Sequence, residues 1–427
     1  MGLAVLWIII YNFILFPFFF VLIIFLSFFS KKIREGVYGR LNSKKIINEF
    51  ISKSKNKDIY WFHAASLGEY EQIKPVLSAL KEVEPDSLFV LSFFSPSGFN
   101  FVEDEDVDCK IYLPFDFRWT VKNYLKRLKP RKLILAGYDV WPNLIWAAKE
   151  LNIHTVLFAA RFSNRSAKSY PIIKMFYRNI YNSFSAIYTI SDADNQQLKF
   201  IIGEKYLPIL RTLGNPRYDQ VKLKSDKFTN ERTRSVLQRP KRLILGSMHH
   251  EDERRLASSI FNLISDSTDV SLIWAPHTPS NKNISRIETL LIRNDIPYQK
   301  LGEKNIEELK TKVVIVDSVG RLSQLYWHGQ IAYIGGGFSS GVHNVMEPAI
   351  ARLPVFFGPK YDNFHEAEEL INKEGGFSID SGEELHIQVA SLFDNKDKFL
   401  NSSYSATNVI HDNLGSSTRI VRSLVHD

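Results

Sequence analysis

The sequence predicts an α/β chain of two Rossmann-like domains facing a cleft, preceded by an N-terminal membrane-anchor helix. Three observations predict it. Residues 3–29 are almost continuously apolar; beyond them short β-branched or aromatic runs alternate with helix-like stretches; and this alternation occurs in two sets separated by a polar connection. With 427 residues, 45% of them hydrophobic, the chain carries enough apolar material for two cores.

The apolar run is interrupted mainly by Asn12, Pro17 and Ser27, and about 20 such residues suffice to cross a bilayer. No basic residue precedes it and no small-x-small site closes it, so residues 1–30 read as a retained anchor rather than a cleaved signal. Pro17 and the dense phenylalanines also allow a bent helix inserted only into one leaflet. Lys31, Lys32, Arg34, Arg40, Lys44, Lys45, Lys53, Lys55 and Lys57 follow at once. Such a cluster suits anionic lipid headgroups or is a solvated face, and on the positive-inside tendency it places that flank in the cytoplasm. Over the whole chain 54 basic and 46 acidic residues give a net +8, a mild excess much of which lies in that cluster, so nucleic acid is not an expected partner. A single cysteine, Cys109, excludes an internal disulfide and a thiolate metal site, and fits a reducing compartment.

The first set of strand-like runs covers 58–63, 87–92, 132–136, 155–159 and 186–190; the second covers 242–247, 271–275, 312–316, 330–335 and 354–358. Domain boundaries follow: 31–218 for the first, 219–240 for the connection, 241–400 for the second, and 401–427 for a helical tail ending in an amphipathic stretch. In open α/β sheets ligands bind outside the carboxyl ends of the strands, so the chemistry is expected there.

Each candidate motif has a bland reading beside the functional one. In H-A-A-S-L-G-E (63–69), Ser66 and Gly68 let the chain turn from strand to helix and Glu69 stands at the helix start. A carboxylate there can accept the proton of an attacking hydroxyl; Ser-x-x-Glu is equally a capping box. I-G-G-G-F-S-S-G-V-H-N-V-M-E-P (334–348) sets glycines after a strand and before a helix. Amides in such a turn suit a phosphate, and Glu347 can accept from ribose hydroxyls; a tight structural turn is the alternative. A dinucleotide fingerprint fails because Gly337 to Gly341 is one residue too long. G-N-P-R-Y-D (214–219), G-S-M-H-H-E-D-E (246–253) and A-P-H-T-P (275–279) end or follow strands and can line the same cleft or face solvent. His249 and His250 beside Glu251 and Asp252 lack a second distant cluster, so no metal is expected. Arg161, Arg165 and Lys168 share one face if 159–170 is helical, to hold an anionic acceptor or to meet solvent.

Taken in order, H-A-A-S-L-G-E, Y-L-P-F-D (112–116), V-W-P-N-L (140–144), A-R-F-S-N-R-S-A-K-S-Y (160–170), G-N-P-R-Y-D, the 335–349 stretch and F-G-P-K-Y-D-N-F (357–364) resemble the transferases that add 3-deoxy-D-manno-octulosonic acid (Kdo) to the lipid A precursor. The resemblance spans about residues 60–370. It implies a GT-B glycosyltransferase at the cell inner membrane with its catalytic domains facing the cytoplasm, CMP-Kdo as donor, a phosphorylated lipid A precursor as acceptor, and no cofactor. It implies Glu69 as general base of an inverting transfer, with Gly337, Asn344 and Glu347 on the CMP moiety. Gly336, Ser247 and His277 complete the expected donor set; Ser66, Gly68, Asp139, Arg161, Arg165 and Lys168 form the expected acceptor set. Two departures matter. Pro276-His277-Thr278-Pro279 stands where the family has Pro-Arg-His-Pro, and Gly137-Tyr138-Asp139 stands where it has Glu-Thr-Glu. A GT-B enzyme using another nucleotide sugar, such as a UDP-hexosamine, and a non-catalytic membrane-bound sugar or lipid receptor are the rival readings.

Overall fold

The computed structural model describes residues 2–54, 57–137, 139–162, 168, 170–228, 235–362 and 364–427. The chain forms two compact units: Met1–Gln220 together with Gly415–Asp427, and Val221–Leu414. The passage from one to the other lies inside a helix, Arg217–Asp226, rather than in a loop.

The first unit holds β1 (Ile59–Ala64), β2 (Leu88–Phe93), β3 (Cys109–Tyr112), β4 (Lys132–Ala136), β5 (His154–Ala160), β6 (Ala186–Thr189) and β7 (Ile209–Thr212), in the order β3-β2-β1-β4-β5-β6-β7. The second holds β8 (Arg242–Met248), β9 (Ser271–Pro276), β10 (Tyr298–Lys300), β11 (Val313–Ile315), β12 (Ile331–Ile334), β13 (Val355–Phe357) and β14 (Gly376–Ser378), in the order β10-β11-β9-β8-β12-β13-β14. Neighbouring strands are parallel throughout. Both sheets thus contain the 3-2-1-4-5-6 order of a Rossmann fold, with the direction of winding reversing between β1 and β4 and between β8 and β12. Helices cover both faces, which is why the strands read as unbroken apolar runs: every residue of β1 is buried. Tyr60 and Phe62 face one core with Ile73, Val76 and Leu77 of helix Leu67–Val83, while Trp61 faces another with Leu133 and Leu157.

The last helix, Ser416–His426, does not close the second unit. Ile420, Val421 and Leu424 complete the core above helix Leu67–Val83. Asp219 fixes this return by accepting from the backbone N–H of Gly415 (2.7 Å) and Ser417 (2.6 Å) and from the Ser417 hydroxyl. The tail expected at 401–427 is therefore split: Lys396–Asp412 belongs to the second unit, and the final helix to the first. G-N-P-R-Y-D contributes Asp219 to this anchorage rather than to a loop facing solvent.

Val5–Phe29 is one continuous helical stretch long and apolar enough to cross a membrane. A π turn at Tyr11–Leu15 absorbs Pro17, whose ring would collide with a carbonyl of the preceding turn. One face of this helix packs on the first unit. The Tyr11 hydroxyl donates to Asp116 (2.8 Å), Asn12 and Asn143 exchange amide hydrogen bonds (3.0 Å each), and Phe16 sets its ring edge-on against Phe117. Asp116, fully buried, also accepts from the N–H groups of Asn143 and Leu144 at the start of helix Pro142–Glu150. The opposite face, with Phe13, Phe18, Phe25, Phe28 and Phe29, is exposed. Helix Lys31–Lys53 follows. Within it Arg40 leaves the expected lipid-facing cluster: it is buried, donates to the carbonyls of Gly36 and Phe94, and lies over the Phe94 ring. Lys55 is outside the described residues.

Candidate active-site residues

In the first unit the candidate residues gather at the carboxyl ends of the adjacent strands β1, β4 and β5, where the winding reverses. His63, the penultimate residue of β1, is a core residue, its Nδ1 against Ser92 and its pKa pushed down to about 3 by burial. Ser66 then caps helix Leu67–Val83. Gly68 N–H donates to the Ser66 hydroxyl (3.2 Å), and the carboxylate of Glu69 accepts from Ser66 N–H (3.0 Å) and contacts the Ser66 hydroxyl. The capping box is therefore real, yet Glu69 remains half-buried at the strand end and its Cγ lies over Gly137.

Asp139, three residues beyond β4, is close enough to feel Glu69. Burial, and then the Glu69 charge, push its pKa up to about 6, against the opposing effect of Lys168. The Lys168 side chain is withdrawn from solvent: its ammonium donates to the Tyr181 hydroxyl (2.8 Å) and sits above the Tyr177 ring. Burial pushes its pKa down to about 8, with Asp139 opposing. Arg161 stands half-buried directly after β5, and Arg165 is outside the described residues. A cavity of about 240 Å³ opens beside Asp139, lined by Tyr11, Phe16 and Phe19 of the N-terminal helix and by Trp141, Phe176 and Tyr177.

The second unit repeats the arrangement at β9, β8 and β12. Ser247 has φ +53, a left-handed conformation unusual for a side-chain-bearing residue, where the register of β8 against β9 shifts. The glycine turn after β12 is held by Asp252, a fully buried carboxylate that accepts from Gly336 N–H (2.8 Å), His249 N–H (2.9 Å) and the Tyr333 hydroxyl (2.8 Å). Gly336 has φ +94, and a Cβ on Gly337 would fall 2.5 Å from the backbone of Gly358. Asn344 accepts from Met346 N–H, and Glu347 lies half-buried in the first turn of Met346–Ile350, a helix of only five residues.

His277 follows β9 and is exposed. Its ring stacks against those of both His249 and His343, at centroid distances of 4.5 and 4.4 Å, and those two rings also meet each other, with centroids 4.9 Å and Nε2 atoms 2.7 Å apart. Burial and the neighbouring imidazoles push the His343 pKa down to about 4, and burial with His249 lowers that of His277. His250, by contrast, points to solvent near Glu253, whose carboxylate is held by Arg286. His249 and His250 are neighbours in sequence, whereas the spatial partners of His249 follow the two strands flanking β8. Asp252, weighed in the sequence only as a companion of those histidines, occupies the third helical position behind His249 and holds the glycine turn.

Residues 39–220 match the family model described as 3-deoxy-D-manno-octulosonic-acid transferase (kdotransferase). The 3-deoxy-D-manno-octulosonic acid transferase of Chlamydia pneumoniae is 28% identical over 372 residues, covering 84% of this chain and 84% of that one. The Haemophilus influenzae enzyme of the same name is 26% identical, covering 84% of this chain and 85% of its own. Among solved structures, UDP-GlcNAc 2-epimerase from Neisseria meningitidis superimposes with a TM-score of 0.59 at 14% identity, covering 87% of this chain and 100% of that one. MurG of Acinetobacter baumannii does so with 0.55 at 11%, covering 87% and 100%. At these identities the structural likeness is one of fold, that of the GT-B glycosyltransferases. Two doubly wound units, the collinear motifs at their strand ends, the family-model match over residues 39–220 and relatives that match along most of their length make this chain a glycosyltransferase similar to the Kdo transferases.

Proposed function

We propose that the protein transfers Kdo from CMP-Kdo to a hydroxyl of a phosphorylated lipid A precursor at the inner membrane, with inversion. Glu69 takes the proton of the acceptor hydroxyl, the new bond forms to the Kdo anomeric carbon, and the bond to the CMP phosphate breaks with its electron pair leaving on CMP. The observation that carries the reading is the placement of Glu69, Asp139 and Lys168 at one strand edge of the first unit, beside an apolar cavity walled by the N-terminal helix. A base near a cation and an apolar wall is what an acylated, phosphorylated acceptor needs. Ser66 and Gly68 hold Glu69, and Arg161 extends the basic side. In the second unit Ser247, His277, Gly336, Gly337, Asn344 and Glu347 receive the nucleotide.

The N-terminal helix supports attachment to one leaflet of the bilayer. A helix whose middle is hydrogen-bonded to Asp116 and Asn143 offers lipid only its far face, rich in phenylalanine. The lysines of Lys31–Lys53 then meet anionic headgroups from the cytoplasmic side. Incubating the detergent-solubilised protein with CMP-Kdo and the lipid A precursor, and counting added sugars by mass, tests donor and acceptor together. A thermal shift with UDP and none with CMP overturns the donor assignment; binding of both substrates without turnover points to a receptor.

A further inference from the structure

Three histidines from distant parts of the sequence meet at the carboxyl ends of three adjacent strands of the second unit. His249 follows β8, His277 follows β9, and His343 lies nine residues beyond β12. One ring nitrogen from each falls within 4.8 Å of the others. We propose that His249, His277 and His343 bind one divalent transition-metal ion of the Zn²⁺ class, leaving a further coordination position open to an acidic group of the donor.

The donor atoms fit that class. Three imidazoles suit Zn²⁺ and its late first-row neighbours and do not suit Mg²⁺ or Ca²⁺, which take oxygen ligands. Three protein ligands with an open position is the pattern of a reactive site, not of a closed structural one. The orientation of His249 is also prepared. Its Nδ1 lies 3.3 Å from the Ser339 hydroxyl, which turns Nε2 towards His343. Such an outer hydrogen bond fixes the tautomer and ring of a metal-ligating histidine. The Nε2 atoms of His249 and His343 share a proton at 2.7 Å. Around a tetrahedral ion with metal–nitrogen bonds of about 2.0–2.1 Å any two of the nitrogens would stand about 3.3 Å apart, so on binding the His249–His343 pair opens slightly and the nitrogens of the trio, now within 4.8 Å of one another, draw to that spacing.

An ion restores the positive charge that the family's arginine would bring at position 277. This last step rests on the proposed CMP-Kdo donor: phosphate or carboxylate of the nucleotide sugar would fill the open position.

The test uses the full chain in detergent, stripped with a chelator and dialysed. Titration with Co²⁺ should give the intense visible bands of a four-coordinate nitrogen site at one ion per chain, displaced by Zn²⁺. His277→Ala and His343→Ala should weaken binding at least about a hundredfold, and Ser339→Ala about tenfold. His250→Ala should bind as wild type. His277 is exposed, so its replacement leaves the core intact, and His277→Asn with a melting curve guards against misfolding. Absence of Co²⁺ bands in wild type, unchanged affinity in both trio variants, or an equal loss in His250→Ala would overturn the site. CMP binding is measured separately on stripped and loaded protein. Metal binding with no CMP binding in either form would overturn the donor reading while the ion site stands.

Discussion

Replacing Glu69 with Gln separates the two tasks its side chain can perform. The hydrogen bond from Ser66 N–H, 3.0 Å in the wild type, persists because an amide oxygen accepts from the same donor. The negative charge is lost, and with it the charge-assisted character of that bond and the favourable interaction with the helix start, together about 1–2 kcal/mol. For a unit the size of Met1–Gln220 this lowers Tm by roughly 2–8 °C. Part of it returns, since the same charge disfavours ionised Asp139. Catalysis has no such compensation. A neutral amide cannot hold the acceptor proton, and positioned bases contribute about 10²–10⁴-fold, so transfer should slow at least about a hundredfold, near 3 kcal/mol of barrier. The assay pairs a melting curve with mass-detected Kdo addition at saturating CMP-Kdo. Near-normal turnover would reduce Glu69 to a helix cap and leave Asp139 as the next base to test.

Asp139→Asn reports on pH. The folded pKa near 6 stands above the ordinary 3.8, so this group's contribution is fully present below about pH 4 and is lost as pH rises through 6. Relative to wild type, the Asn variant should gain up to about 3 kcal/mol between about pH 4 and 7 by chemical denaturation; a flat difference would refute the burial of a charge there. Tyr11→Phe removes one of the three donors to buried Asp116 and should cost about 1–3 kcal/mol. Deleting residues 1–30 should cost more, because Tyr11 and Phe16 belong to the core; an unchanged denaturation midpoint for the deletion would show the helix to be an appendage. Glu347→Ala should weaken CMP binding by about 1–3 kcal/mol if its carboxylate meets ribose hydroxyls, and equal affinity by calorimetry would move the site.

The strands legible in the sequence are the ones buried on both faces. The four not anticipated, β3, β7, β10 and β14, are the edges of the two sheets and have three or four residues each. Β7 alternates exposed and half-buried, and a run that short and half-wet carries no periodic signal. The strand-end motifs were visible because a parallel sheet places function where each strand stops, and stopping is marked locally by glycine, serine and proline. Their grouping was not visible. The order β9-β8-β12 that joins three histidines is set by chain winding, which no spacing encodes. The docking of the N-terminal helix was hidden for a related reason: Tyr11 and Asn12 look like blemishes in an apolar run until Asp116 and Asn143 are seen opposite them.

The return of the final helix to the first unit has a consequence for how the protein is made. Helix Leu67–Val83, which carries Glu69 in its first turn, is covered by Ile420, Val421 and Leu424. While the ribosome synthesises residues 221–414, that helix has emerged without its cover, and an apolar strip lies open on the helix that carries Glu69. Domains usually settle in the order in which they are translated. Here the earlier unit is finished last, so a chain halted anywhere short of its closing dozen residues carries every strand-end motif and lacks the packing that steadies the helix of Glu69.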